Sequence, residues 1–581
     1  MKYLIKAPIL TVVFSAVLTM AACSNGVKTS EKDEALTVSR PTVEDKSQVP
    51  VQPGVEEVIV SGARASGPQR RIDAHKLHKA QEMFAGMAAT SYAPGIMTDD
   101  IRVASEPLDT EKYAAIETNP VKRVAEHPVS TFSIDVDTGA YSNVRRFLQQ
   151  GRLPPKDAVR VEEMINYFSY DYQGPANRGQ PFSVYTEIST TPWNEKTRLL
   201  KVGIKGYAVA KEQLPPANLV FLVDVSGSME SPDKLPLLKS ALKMLTQRMS
   251  ERDFVSLVVY AGASGVVLEP TPGNKTATIS AALDRLSAGG STNGGAGIKL
   301  AYAMAKQGFI KGGINRVILA TDGDFNVGTV NFESLKQLIE EQRASGIELT
   351  TLGFGGGNYN DHLMEQLADA GNGNYAYIDT LNEARKVLVE EMSATLFTIA
   401  RDVKIQIEFN PAAVAEYRLI GYENRMLKRE DFNNDKIDAG DIGAGHTVTA
   451  LYEIALAGDG GERIEPLRYG VNKPAAGSKE ELAFLRLRYK LPGEEQSKLL
   501  EQGLLRKDIK KIDQSSDDLR FAASVAAFGQ MLRGGEHLGK VSWPEIRQLA
   551  SNARGDDAFG YRGEFLQLLA MAETLSVTPV N

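Results

Sequence analysis

The chain of 581 residues contains a single cysteine, Cys23. One thiol cannot form an intramolecular disulfide, so the fold depends on its core alone. Positive charge is also short: 66 Lys and Arg against 73 Asp and Glu leave a net charge of −7. There is no basic footprint for nucleic acid. The histidines are His75, His78, His127, His362, His446 and His537, of which only the first two are close in sequence. Neither a Ser-His-Asp arrangement nor a zinc-hydrolase signature is present. No solenoid-type repeat is visible. What remains is 43% apolar and 24% charged, an ordinary globular composition, and the length calls for about two to four folded units.

The chain opens "MKYLIKAPILTVVFSAVLTMAAC". Lys2 and Lys6, an apolar run too short for a membrane span, and small residues ahead of Cys23 are the layout of a secretory signal over residues 1–22. The ending "MAAC" resembles a bacterial lipobox, with Met20 where leucine is more usual. That resemblance implies lipidation of Cys23 and attachment to a membrane. Ser24, rather than aspartate, follows, which resembles the outer-membrane sorting pattern of a Gram-negative cell. The expected location is the bacterial cell envelope, lipid-anchored, at the outer membrane. Residues 23–110 mix Pro, Gly, Ser and charge without apolar periodicity and read as a disordered tether. Within it, "VEEVIVSGAR" (55–64) resembles the energy-coupling box of TonB-dependent receptors, a short strand-former able to add to another sheet's edge. A chance string or a local hairpin is the preferred reading, and a TonB-type partner the lesser one.

Folded sequence resumes at "STFSIDVDTGAYSNVRRFL", and residues 111–215 form an N-terminal flank. Val159, Met164, Ile165 and Phe168 share one face of an expected helix over 158–168. "FSVYTEIST" and "RLLKVGIKGY" alternate like half-buried strands. Over 216–398 the runs "LVFLVD", "FVSLVVY", "RVILAT", "IELTTLG" and "NYAYI" alternate with amphipathic helices, closing on "LNEARKVLVEEM". That pattern predicts a doubly wound, mostly parallel α/β sheet covered on both faces. Strand alternation returns after 399 in "VKIQIEF", "HTVTALYEIAL" and "LAFLRLRYKL". The α/β domain is therefore expected to be inserted in a β-rich, sandwich-like scaffold built from both flanks. The Ala- and Leu-rich end of 399–581 forms a helical C-terminal cap.

The chemistry concentrates at strand ends. Asp224 closes an apolar strand, where doubly wound sheets bind ligands, and Ser226 and Ser228 follow around Gly227. A carboxylate and two alternate hydroxyls suit a hard cation with oxygen ligands. "GGSTNGGAG" carries Thr292 in a Gly-rich loop, and "RVILATDG" ends a buried strand with Asp322. Together "DVSGS", Thr292 and "TDG" resemble the metal-ion-dependent adhesion site of von Willebrand factor type A (VWA) domains. The resemblance implies that Ser226, Ser228 and Thr292 touch a Mg2+ or Mn2+ ion, with Asp224 and Asp322 acting directly or through water. A Glu or Asp carboxylate of a protein partner would complete the octahedron, a binding device rather than an enzyme. Without the ion, Asp224 and Asp322 are expected to repel each other. "STFSIDVDTGAYSNVRRFLQQGRLPP", "TTLGFGGGNYND" and "DAGDIGAGHTVTALYE" resemble the YfbK-like family of bacterial type A lipoproteins over roughly 100–580. That likeness implies architecture and location rather than a ligand.

Other signals carry less. Asp135 and Asp137 in "FSIDVDTG" resemble a haloacid-dehalogenase phosphatase motif, but Gly139 stands where that motif wants Thr or Val. Turn- or helix-capping carboxylates are preferred, with a Mg2+-dependent phosphatase as the alternative. The Gly-rich loops 289–297 and 353–361 lack the Gly-Lys-Ser/Thr ending of a phosphate cradle. "DFNNDKIDAGD" (431–441) has Lys436 and Ile442 where a calcium loop needs Gly and Glu.

Overall fold

The computed structural model describes residues 110–175, 179–291, 294–323, 325, 331–465, 467–468 and 478–577. The signal segment, Cys23, the tether ahead of Thr110 with its 55–64 string, His75, His78 and Thr292 lie outside the described residues.

The N-terminal flank supplies β1 (Lys122–Arg123), β2 (Val129–Ser133), α1 (Gly139–Gln149), α2 (Val161–Asn166), β3 (Phe182–Thr191) and β4 (Asn194–Gly206). The central region then runs through β5 (Ala217–Asp224), α3 (Leu235–Thr246), β6 (Phe254–Tyr260), β7 (Ser264–Pro272), α4 (Thr276–Asp284) and α5 (Gly294–Gln307). It continues with β8 (Ile314–Thr321), α6 (Phe332–Ala344), β9 (Glu348–Phe354), α7 (Asp361–Ala370), β10 (Tyr375–Ile378), α8 (Leu381–Arg385) and α9 (Met392–Leu396). After it come β11 (Thr398–Phe409), β12 (Val414–Ile420), β13 (Ile442–Gly443), β14 (Thr447–Leu456), β15 (Glu481–Lys490), β16 (Lys498–Leu505) and β17 (Ile509–Lys510). Three helices close the chain: α10 (Asp517–Leu532), α11 (Trp543–Asn552) and α12 (Tyr561–Val577).

Strands from both flanks share two sheets. One has the order β1-β12-β14-β4-β3-β17; in the other β2 and β13 share one side of β11, and β15 and β16 lie on its other side. Thus β14 pairs with β4 (Leu451 opposite Lys201) and β11 with β2 (Ile405 opposite Phe132), across the whole central region. The alternating apolar residues meet between the sheets: Phe132, Val202, Ile204, Ile405, Ile407, Tyr452 and Leu485 are all buried. Each such side chain is worth about 1.5–3 kcal/mol. The cap packs on α1, α2 and the outer face of the first sheet, where Phe168 meets Phe521 and Phe565 edge to face. Ser516 caps α10 by accepting from Leu519 N, and the alanines of that helix let it sink until Phe521 through Gln530 are buried.

The central sheet has the order β10-β9-β8-β5-β6-β7, parallel except for β7. All eight residues of β5 are buried, because both faces are covered: Leu219, Phe221 and Val223 join one core, Val220 and Leu222 the other. From β5 the chain winds outward to β6 and β7, then returns to β8 on the opposite side. The carboxyl ends of β5 and β8 therefore flank a topological switch point, the place where open α/β sheets bind ligands.

Two expected helices differ. The 158–168 helix shrinks to α2, preceded by a 3-10 turn at Lys156–Ala158, and its Glu162 and Glu163 are buried. The 381–392 helix breaks at a wide π turn, Lys386–Glu390, where Lys386 reaches Glu391 at 2.6 Å. The 431–441 string is a polar turn whose carbonyls already receive ammonium groups. Lys404 Nζ donates to Asn434 O at 2.6 Å, and Lys490 Nζ to Asp435 O at 2.7 Å.

Candidate metal centre

Asp224 ends β5 and Asp322 follows β8; both are fully buried. The backbone turns away from β5 through an Asx-type contact, Asp224 Oδ1 accepting from Ser226 N at 2.8 Å. Asp224 Oδ2 accepts from Thr321 Oγ1 at 2.9 Å and Tyr260 OH at 3.2 Å. The hydroxyls of Ser226 and Ser228 stand 3.1 Å apart. Ser226 is buried while Ser228 is exposed, so the donors run from a dry floor to a wet rim. The Gly-rich loop is laced to this turn, Gly227 N donating to Gly290 O at 3.1 Å and Gly289 N to Val225 O at 2.8 Å. Thr292 belongs to that loop, beyond its described part. Gly323, with φ +89°, is required: a Cβ there would overlap the backbone at Asn360.

The two carboxylates differ electrostatically. Burial pushes the Asp224 carboxyl above its usual value, and the Asp322 charge adds to this against hydrogen bonds from Ser226 and Thr321. Burial also acts on Asp322, but the ammonium of Lys234, with hydrogen bonds from Ser228 and Asn358, outweighs it and brings that carboxyl below its usual value. Lys234 Nζ lies 2.9 Å from Asp322 Oδ2 and 3.3 Å from Asn358 Oδ1. Lys234 therefore offsets the expected repulsion at Asp322, while Asp224 still feels the Asp322 charge. Sequence reading missed Lys234 because nothing in "SPDKLP" marks it apart from a surface lysine; only its path across the sheet end reveals it.

The donor set fits a hard divalent ion: two carboxylates and two hydroxyls converge, with the rim open to solvent. Among the described residues no group of three or more His, Cys, Asp or Glu is placed to hold a metal; half of this set is hydroxyl.

Asp135 and Asp137 lie elsewhere, in a cleft of about 270 Å³ between the central domain and the scaffold. Asp135 Oδ1 accepts from Asp137 N at 3.0 Å, as expected of a turn-capping carboxylate. Asp137 instead bridges to β10, accepting from Tyr375 N at 2.8 Å. Arg425 reaches both, at 3.3 and 3.2 Å, together with Glu365 at 3.2 Å and Asp369 at 2.7 Å.

The first described residues border this candidate centre. Thr110 N donates to Gly357 O at 2.9 Å, Lys112 N to Tyr359 O at 2.8 Å, and Asp361 N to Lys112 O at 3.1 Å. Glu111 Oε1 accepts from Gly357 N at 2.7 Å, and its Oε2 from Arg146 at 2.8 Å.

Residues 218–391 match the family model "von Willebrand factor type A domain", 107–201 match "von Willebrand factor", and 394–575 match "Uncharacterized protein YfbK, C-terminal". An Escherichia coli K12 protein, "Uncharacterized protein YfbK", is 52% identical over 472 residues, covering 80% of this chain and 81% of that one. The chain belongs to the YfbK family. Human inter-alpha-trypsin inhibitor heavy chain H3 is 26% identical over 282 residues, 44% of this chain and 31% of that protein. The solved structure titled "von Willebrand factor type A from Catenulispora acidiphila" is 16% identical and covers 69% of this chain and 91% of its own, with a TM-score of 0.39. VWA domains are generally interaction or adhesion modules, commonly hold a divalent metal at such a site, and are typically non-enzymatic in the YfbK family's kind of protein. Among the described residues no helix is long and apolar enough to cross a membrane.

Proposed function

We propose that this YfbK-family chain is a lipid-anchored protein of the bacterial envelope, held at the outer membrane through Cys23, whose VWA domain captures a protein partner. Asp224, Ser226, Ser228, Thr292 and Asp322 would hold a Mg2+ or Mn2+ ion. Bound there, the ion would supply a Lewis-acidic position for an anionic oxygen, suited to a Glu or Asp carboxylate of the partner. The observation that carries this reading is the convergence of two buried carboxylates and two serine hydroxyls at the switch point, opening to solvent at Ser228. Tyr260 and Thr321 orient Asp224, and the lacing of the Gly-rich loop fixes its distance from the serines.

The test is a melting series of wild type and Asp224→Ala in Mg2+, Mn2+ and chelator, beside a crosslinking pull-down from intact cells with and without chelator. Wild type should melt higher with metal and lose its partner in chelator. Identical melting and identical capture in both would reject the reading. A phosphatase at Asp135 and Asp137 has less support, since Arg425 is ion-paired to both; an assay on wild type and Asp135→Asn decides it. Coupling to a TonB-type protein rests on the 55–64 string alone, and a pull-down with that segment deleted decides that.

A further inference from the structure

Lys234 immediately precedes α3, and only 6% of it is exposed. Three elements fix its ammonium. Its N–H donates to Ser231 O at 3.0 Å, setting the turn into the helix. Its aliphatic stem crosses the end of β9 over Gly355, whose φ is +64° and where a Cβ would overlap that stem. Its Nζ then reaches Asp322 and Asn358. A lysine lying in the surface layer needs no such slot. This one is built to deliver a positive charge to one of two carboxylates that otherwise face a metal.

We propose that Lys234 is a tethered counter-cation that competes with the divalent ion for Asp322 and so sets the metal affinity of the site. The inference rests on the metal-site reading above. The charge count shows the consequence. Asp224 and Asp322 with Lys234 sum to −1, and a divalent ion takes the site to +1. Without the lysine the same steps run from −2 to 0. Lys234 therefore weakens metal binding by like-charge repulsion in a poorly screened site. It also leaves the loaded site net positive, with greater need of an anionic partner group. Affinity for the ion is traded for affinity for the carboxylate, and the lysine preserves the metal-free fold by pairing with Asp322.

The experiment is a Mn2+ titration of the full chain followed by electron paramagnetic resonance, on wild type, Lys234→Met and Lys234→Gln, with Asp224→Ala as the control that locates the ion. Both lysine variants should bind Mn2+ at least about tenfold more tightly than wild type, and the loaded variants should bind acetate more weakly than loaded wild type. A brace with no electrostatic role gives the opposite sign, since losing it would loosen Asp322 and weaken the metal. Equal or weaker Mn2+ binding by both folded variants overturns the inference while leaving the metal site intact. Failure of wild type and both variants to bind Mn2+ rejects the metal-site reading itself, and the inference with it. Binding by the variants alone supports the inference in its strongest form.

Discussion

Two stretches of this chain look alike and end differently. "FLVDVSGS" and "FSIDVDTG" each run an apolar strand into an aspartate, with a second oxygen-bearing side chain two residues on. At the first, the neighbours of Asp224 are uncharged donors, the backbone N–H of Ser226 and the hydroxyls of Thr321 and Tyr260, and one lysine serves Asp322. At the second, Arg425 spreads its fork over Asp135, Asp137, Glu365 and Asp369. A guanidinium offers five donors and a permanent charge, so it pairs with several carboxylates at once and turns them into structural ties. Uncharged donors neutralise nothing, which is why the first site suits the cation proposed for it. In the proposed reading, what separates the binding site from the rivet is the cation packed beside the aspartates, not the aspartates themselves.

The contrast is broken most severely by removing the rivet. Arg425→Met leaves three buried carboxylates and Asp369 without their guanidinium, and should cost about 3–5 kcal/mol of stability at neutral pH, read by denaturant unfolding. Burial and the Asp135 charge already hold the Asp137 carboxyl well above the usual range. The variant should therefore recover part of its loss at pH 5, where protonation relieves the unpaired charge. At the metal site, Asp224→Ala strands the donors of Ser226, Thr321 and Tyr260 and should lower the metal-free stability by about 1–3 kcal/mol. It should also abolish the gain from Mg2+, which in wild type approaches about 2.7 kcal/mol at a hundredfold excess over Kd. Thr292→Ala removes one neutral donor and should reduce that gain by less. Asp135→Asn should leave it untouched, and a metal gain that follows Asp135 rather than Asp224 would invert the comparison.

The smallest effect is expected beside the rivet, at Glu162. It is 1% exposed, and its Oε2 has no hydrogen-bond partner. Burial first, then the charges of Glu423 and Asp135, hold its carboxyl well above the usual value. The folded state thus keeps a proton that the unfolded chain loses, so this contribution is full below the unfolded carboxyl's range and is lost as pH rises through the folded value. Glu162→Gln stays neutral throughout. It should match wild type in melts at pH 5 and exceed it by about 1 kcal/mol at pH 8.

The alternation of the flanks and the continuous apolar runs of β5 and β8 made the inserted domain and its scaffold legible, because burial on one face or on two leaves opposite periodicities. The gathering of Asp224, Ser226, Ser228 and Asp322 at one sheet end was legible because short loops after strands keep local spacing. Lys234, Asn358 and Arg425 were not: each acts across more than fifty residues of sequence, and its importance lies in where its stem is led. Glu162 and Glu163 ran against the usual rule that two adjacent glutamates face water. They are buried because α2 is wedged between the scaffold and the cap, with Arg160 paired to Glu163.

The clip formed by Thr110–Lys112 has a mechanical consequence. Tension arriving along the backbone at Thr110 passes within two residues to Gly357 and Tyr359, and through Glu111 to Arg146 on α1. Asn358 sits between those two attachment points and touches the lysine that serves Asp322. Load and the proposed ion would thus bear on the same short strip of chain. Along the chain these contacts come before β1, the first sandwich strand, so a pull at Thr110 would load the rim of the proposed cation site ahead of that strand.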